Sequence, residues 1–204
     1  MKVKVLSDKP VSPNLASRNT AIACAYPQSV ALDSGEIVCL YRQGASKHSY
    51  DGVLVLQSSF DHGVSWSDPV IAFDGRGLPP PQSIVSGGLC QTPSGDLLIT
   101  FGLVDASQTD VYVFSDEGMA FERQVCATCS SDGGASWSNP TTIDTAPFPR
   151  AGITARPLIL PGGEIFVPVE VELPSGAQGT AATFTSDNGC TFEPQITCAA
   201  DPTG

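Results

Sequence analysis

The chain has 204 residues, with 21 acidic against 10 basic side chains and a net charge of −11. That balance argues against nucleic acid as a partner, because a phosphate backbone demands a basic footprint. Hydrophobic residues make up 41% of the chain, enough for a packed core, yet no stretch of about 18 apolar residues marks a membrane helix, and Met1-Lys2-Val3-Lys4-Val5-Leu6 lacks the apolar segment of a signal peptide.

In chain order, short apolar runs alternate with turn signals, and the order repeats. Run 21–32 leads into a turn at Ser34-Gly35-Glu36, and run 37–41 leaves it. Run 53–56 leads into Ser59-Phe60-Asp61-His62-Gly63-Val64-Ser65-Trp66, and run 70–73 follows. The second round comprises 88–92, Ser94-Gly95-Asp96, 97–103, 125–128, Ser130-Ser131-Asp132-Gly133-Gly134-Ala135-Ser136-Trp137 and 141–143. The third comprises 155–160, Gly162-Gly163-Glu164, 165–171, 180–184, Thr185-Ser186-Asp187-Asn188-Gly189-Cys190-Thr191-Phe192 and 195–198. Each eight-residue motif reads hydroxyl-x-Asp-x-Gly-x-hydroxyl-aromatic and precedes a proline, at Pro69, Pro140 and Pro194.

The residue types suit a hairpin corner. The Asp side chain accepts hydrogen bonds from its own turn. The Gly adopts a backbone conformation that a side chain would forbid. The aromatic ring covers apolar area beneath. Asp61, Asp132 and Asp187 therefore read as turn staples rather than catalytic acids. Twenty glycines and 17 prolines, with no apolar stripe of helical period, agree with many strands and turns. The pattern predicts an all-β chain: a β-propeller of four-stranded antiparallel blades, with about three blades in a single domain over 1–204, at approximately 18–74, 83–145 and 151–200.

Seven cysteines, at 24, 39, 90, 126, 129, 190 and 198, fall mostly within strand-like runs, where a free thiol behaves as a small hydrophobe. Cys126 and Cys129 form a C-x-x-C, but residues three apart on a strand face opposite sides and no second pair completes a zinc site. No metal or cofactor is expected.

In alternating strands the Gly turns and the Asp motifs share one face. The links from second to third strand and between units share the other. Arg18, Arg42, Arg76, Arg123, Arg150 and Arg156 all fall on that second, link face. Guanidinium groups gathered on one face of an acidic protein suit an anion, above all a carboxylate, which the planar fork binds through two hydrogen bonds. The bland alternative is solvated surface charge.

The three motifs are Asp-boxes, and the chain resembles the sialidase superfamily over nearly its whole length. Tyr41-Arg42 at the end of a second strand and Asp51 shortly after it resemble the family's arginine and its acid/base aspartate. Arg150-Ala151-Gly152-Ile153 and Gly163-Glu164-Ile165-Phe166-Val167-Pro168 resemble its third-blade loop and strand. Where the family carries Arg-Ile-Pro, this chain has Ala25-Tyr26-Pro27. The resemblance implies half of a six-bladed propeller that removes a terminal sialic acid from an acidic glycan. Asp51 would act as acid/base, and Arg42, Arg18, Arg150 and Arg156 would contact substrate. The family's Glu, its nucleophilic Tyr and two further arginines belong to later blades, so the expectation includes a ring completed by further C-terminal blades or by a second copy. Two other readings stay open: a non-catalytic Asp-box propeller that binds glycan or protein, and a glycosidase for neutral polysaccharide that works through two carboxylates.

Overall fold

The computed structural model describes residue 11 and residues 22–107, 114–115, 118–119 and 123–200. Every regular element among them is a strand. β1 (Ala23–Ala31), β2 (Ile37–Gly44), β3 (Val53–Ser59) and β4 (Val70–Phe73) form an antiparallel meander in chain order. β5 (Gln82–Gln91), β6 (Leu97–Asp105), β9 (Arg123–Ser130) and β10 (Thr141–Ile143) repeat it, while β7 (Phe114–Ser115) and β8 (Gly118–Met119) form a small hairpin in the link between β6 and β9. In the third sheet, β11 (Arg150–Gly152) and β12 (Leu158–Ile159) both pair with β13 (Ile165–Glu172), which is followed by β14 (Gln178–Thr185) and β15 (Ile196–Ala200).

The first strands of the second and third sheets depart from the expected runs, whereas β1 lies within the expected 21–32. β5 starts at Gln82, well before the run at 88–92, and the third sheet divides its first strand in two. A register slip lies at the same place each time: between Ala25 and Gln28, between Ile84 and Gly87, and across 153–157. A bulge adds unpaired residues and breaks the period-two pattern on which strand recognition depends. In β1 the slip holds Tyr26 at φ 56°.

The Asp-boxes form nearly superimposable networks. Asp61 Oδ1 accepts from the Ser65 N–H at 2.8 Å and Oδ2 from the Ser65 hydroxyl at 2.6 Å, while Ser59 donates to Oδ1 at 2.9 Å and accepts from the Gly63 N–H at 2.8 Å. Ser130, Asp132, Gly134 and Ser136 repeat every one of these bonds, as do Thr185, Asp187, Gly189 and Thr191. With hydroxyl and N–H donors converging on them, all three carboxyls fall to about 2.

Two apolar layers join the sheets. Val38, Leu40, Leu54 and Leu56 of the first sheet pack against Leu97, Ile99, Phe101 and Leu103 of the second. Leu98, Val125 and Ala127, on the second sheet's other face, pack against Ile165, Val167 and Val169 of the third. The C-x-x-C divides between these layers, with Cys126 in the first and Cys129 against the second, and all seven cysteines are free thiols.

Candidate functional site

The link from β2 to β3 carries Asp51, and a buried arginine builds that link. Arg42 is 1% exposed, the largest fully buried side chain among the described residues. Its Nε donates to the Ile84 carbonyl at 2.7 Å, Nη1 to the Ser46 carbonyl at 2.7 Å, and Nη2 to the Ser49 carbonyl. One guanidinium thus ties the link to itself and to the first strand of the next sheet. The Ser83 hydroxyl reinforces the tie by accepting from the Gly52 N–H at 3.1 Å and donating to the Ser49 carbonyl at 3.2 Å. Residue 52 has to be glycine: a Cβ there would lie 2.5 Å from both Arg42 Nη2 and the Ile84 carbonyl oxygen.

Held in this way, Asp51 receives the Ala45 N–H on both carboxylate oxygens, at 3.0 Å each. A Cβ on Gly44 would stand 2.9 Å from Arg42 Nη1 and 2.9 Å from Asp51 Oδ1, so the two side chains flank that glycine. Burial opposes ionisation of Asp51. The Ser49 hydroxyl, the Ala45 and Asp51 N–H groups and the Arg42 charge outweigh it, and the carboxyl sits below its usual range. Asp51 lines an open cleft of about 450 Å³ with Ala45, Ser49, Tyr50, Arg76, Pro81 and Ala106. Arg76 is locked onto Asp74, through Nε at 2.8 Å and Nη2 at 2.5 Å.

A second group of side chains gathers beside Arg42. Ala25 pairs with Arg42 across the sheet, which brings the bulged Tyr26 alongside the link. Lys47 Nζ lies 5.2 Å from the Tyr26 ring centroid, and the His48 ring lies 6.4 Å from it. Arg123, the first residue of β9, comes in from the second sheet. Its Nη1 occupies the place where a Cβ on Gly152 would stand, and it feels both Glu170 and Tyr26. Glu170 in turn accepts from the Thr154 hydroxyl at 2.6 Å. Burial, together with the charges of Lys47, Arg42 and Arg123, pushes the His48 imidazole below its usual value, so it is neutral at pH 7.

Of the residues singled out in the sequence, Arg42 and Asp51 are therefore brought together. Arg150 is exposed and pairs with Glu172 at 3.3 Å. Arg156 is exposed, with its backbone against Gly88 of β5. Neither lines the Asp51 cleft. Arg18 lies outside the described residues. Tyr26, Lys47, His48 and Arg123 were absent from the expected contact set. The signals that could have found them are the aromatic residue standing where Arg-Ile-Pro was expected and the place of Arg123 on the link-face map. Among the described residues no group of three or more His, Cys, Asp or Glu is placed to hold a metal ion.

Known proteins share this architecture. A microbial sialidase, Hadza Hz136, superposes with a TM-score of 0.73 at 15% identity, over 87% of this chain and 38% of its own. Trypanosoma rangeli sialidase in complex with sialic acid gives 0.62 at 15%, over 86% and 30%. A polysaccharide lyase of family PL25, an ulvan lyase bound to -[GlcA(1-4)Rha3S]-, gives 0.59 at 14%, over 85% and 43%. The chain thus spans less than half the length of each of these three proteins. No curated protein sequence matches it. The profile of the BNR repeat-like domain matches residues 35–201, which takes in all three Asp-boxes, and the chain belongs to that family within the sialidase/BNR-repeat superfamily.

Proposed function

We propose that the three sheets are blades of a six-bladed sialidase-type propeller, and that its link face receives a terminal acidic sugar and hydrolyses the glycosidic bond with Asp51 as acid/base. The observation that carries this reading is the carboxylate of Asp51 held at the wall of an open cleft by a loop that a buried arginine anchors. Arg42 works mainly as the anchor, since three of its N–H groups are spent on carbonyls. In this reading Lys47 and Arg123, which gather beside Tyr26, turn their charge toward a sugar carboxylate, and Arg18, Arg150 and Arg156 are further substrate contacts. Two of the similar structures are described as holding sialic acid and a GlcA-containing saccharide, both acidic, which supports an anionic ligand.

As an acid, Asp51 has to carry a proton that its resting hydrogen bonds disfavour. A sugar carboxylate brought nearby, with water displaced, raises its proton affinity by charge and by desolvation. The rest of a sialidase's catalytic set, a Glu and a nucleophilic Tyr, belongs in this reading to further blades. A second reading is binding without turnover. Ala25 at the position of the family's clamp arginine, in Ala25-Tyr26-Pro27, and the lowered Asp51 carboxyl favour it.

One experiment separates the two. The polypeptide containing this chain is assayed on a fluorogenic sialoside and on an array of acidic and neutral glycans, beside Asp51→Asn. Hydrolysis that Asp51→Asn abolishes while binding persists establishes the enzyme. Binding with no turnover in either protein establishes the second reading. An array on which neither protein retains an acidic glycan removes both.

A further inference from the structure

The loop 74–81, between β4 and β5, supplies Arg76 and Pro81 to the Asp51 cleft, and it is pinned along its length. The Gly75 carbonyl accepts from the Leu78 N–H at 3.1 Å and from the Gln82 N–H at 2.9 Å, and the Pro81 carbonyl accepts from the Ala106 N–H at 2.7 Å. Pro79, Pro80 and Pro81 fix φ over the last part of the loop. At its start Asp74 caps the turn with its own side chain. Oδ1 accepts from the Arg76 backbone N–H at 3.0 Å and from Nε at 2.8 Å, while Oδ2 accepts from Nη2 at 2.5 Å. One carboxylate therefore sets both the backbone and the side chain of Arg76.

That pairing uses one edge of the guanidinium. The planar fork carries five N–H donors, and Asp74 closes only the Nε–Nη2 edge. Among the described residues no acceptor engages Nη1, so the outer Nη1–Nη2 edge is open to a second pair of acceptors, and the side chain is half-exposed. The rest of the lining suits a sugar ring. Ala45, Tyr50, Pro81 and Ala106 supply apolar surface, with Tyr50 backed by Val85 and Val104 of the second sheet. Ser49, Asp51 and Arg76 supply the polar groups. A pyranose presents an apolar C–H face and a hydroxyl edge, and about 450 Å³ lies within the roughly 300–1,000 Å³ of small-molecule sites.

Charge decides which sugar. Arg76 is already answered by Asp74, and Asp51 by the buried Arg42. An anionic substituent would find no unmatched cation in this lining, and the net charge of −11 opposes it from further away. Neutral hydroxyls fit without that cost: they accept from the outer edge of Arg76 and donate to the Asp51 carboxylate. Lys47 and Arg123, the cations beside Tyr26, do not line this cleft.

We propose that the Asp51 cleft is the subsite for an uncharged, hydroxyl-bearing sugar on the leaving-group side of the scissile bond, with Arg76 as its specificity-determining residue and Asp74 as the residue that positions it; this rests on the reading of Asp51 as the group at the glycosidic oxygen. The residues around Tyr26 read the charge of the terminal sugar, and the cleft reads the hydroxyls of the next one. The ligand class narrows to an acidic sugar joined to a neutral one, and a run of acidic sugars is rejected.

The test titrates the polypeptide containing this chain with N-acetylneuraminic acid, lactose, and the hydrolysis-resistant thio-linked forms of sialyllactose and disialic acid, followed by saturation-transfer NMR and calorimetry. Sialyllactose is expected to bind more tightly than disialic acid. Arg76→Ala should weaken sialyllactose about tenfold or more, the loss of a bond to a charged donor, and leave N-acetylneuraminic acid unchanged. Arg76→Lys keeps a cation beside Asp74 but not the fork, so it should give a similar loss with the melting temperature retained. Asp74→Asn removes the answering charge and should raise the affinity for disialic acid relative to sialyllactose by about two- to fivefold. Sialyllactose affinity that survives both Arg76 variants overturns the proposal. So does disialic acid that binds as tightly as sialyllactose and is weakened by the same variants, which makes the fork an anion site. Failure of the acidic-sugar reading looks different: N-acetylneuraminic acid and both of its conjugates bind none of the proteins. Lactose then decides alone. Lactose binding that Arg76→Ala abolishes upholds the neutral subsite; lactose that binds both proteins equally, or neither, overturns it.

Discussion

Each box aspartate is over-supplied with donors, and this ties the fold to pH. Their carboxyls are held at about 2, against an ordinary value near 4 in the unfolded chain. The unfolded state therefore binds more protons in that window, and stability rises with pH across it. The contribution is complete above about pH 4 and is lost as pH falls toward 2. Thermal melts from pH 6 to pH 2 are expected to drop most steeply below pH 4, and Asp132→Asn should lower the neutral-pH melting temperature while flattening that drop. An unchanged slope in the variant would show that the box carboxylates are not what acid titrates. Arg42 is the contrasting residue. Removing it takes the charged donor from three carbonyls and leaves them only the hydroxyls of Ser49 and Ser83 and the Ser49 N–H, and a hydrogen bond to a charged group contributes about 1.5–3 kcal/mol. Arg42→Ala should destabilise by about 3 kcal/mol or more in urea unfolding, and Arg42→Lys should recover only part, because an ammonium cannot reproduce the fork. The boxes were legible in the sequence because all their partners lie within a few residues. The role of Arg42 was not, because Ile84 and Ser83, which share its work, belong to another sheet.

For the strands, the sequence showed the inner members of each sheet and β1 well, and the first members of the second and third sheets poorly. β2, β6 and β13 begin two residues after a turn glycine, β2 and β6 as nearly unbroken apolar runs and β13 as a clean alternation, so their starts at 37, 97 and 165 were placed correctly. β1, β5 and the β11–β12 pair all carry register slips; an apolar run still marked β1, whereas β5 and the Pro157-interrupted β11–β12 pair had no single period to read. The hairpin of β7 and β8 has no apolar alternation to mark it. Glycine substitutions separate local turn chemistry from packing between sheets. Gly35 and Gly189 both adopt positive φ, 86° and 92°, but a Cβ on Gly35 meets nothing within 4 Å, whereas one on Gly189 runs into Leu98. Gly35→Ala should cost about 1–2 kcal/mol, the penalty for a left-handed alanine. Gly189→Ala should cost about 2–5 kcal/mol once an overpacking penalty of about 1–3 kcal/mol is added. Equal losses in urea unfolding would mean that the box does not seat on the second sheet.

Over the whole molecule, charge and architecture pull in opposite directions at the candidate site. A net charge of −11 repels an acidic ligand, and the local cations on the link face have to overcome that field. The sequence put Arg42 and Asp51 in one link, and in the fold the two side chains flank Gly44. It did not reveal that Arg150 is engaged by Glu172, or that Lys47, His48 and Arg123 converge on Tyr26 from two sheets, because convergence across sheets has no spacing signature. The cluster makes a prediction that the net charge alone would not. The imidazole of His48 is pressed below its ordinary value of about 6.5 first by burial and then by its three cationic neighbours. Protonation is disfavoured in the free protein, and a nearby anion relieves part of that penalty. By linkage, proton uptake at His48 and anion binding strengthen each other. A sialic or uronic acid carboxylate stays ionised between pH 7 and pH 5, so its affinity should rise over that interval, and isothermal titration should detect proton uptake on binding. His48→Gln should remove the rise and leave the affinity at pH 7 nearly unchanged, while Arg123→Gln should weaken acidic saccharides at both pH values and spare neutral ones. A pH-independent affinity that survives both substitutions would place the ligand away from Tyr26, in the Asp51 cleft alone.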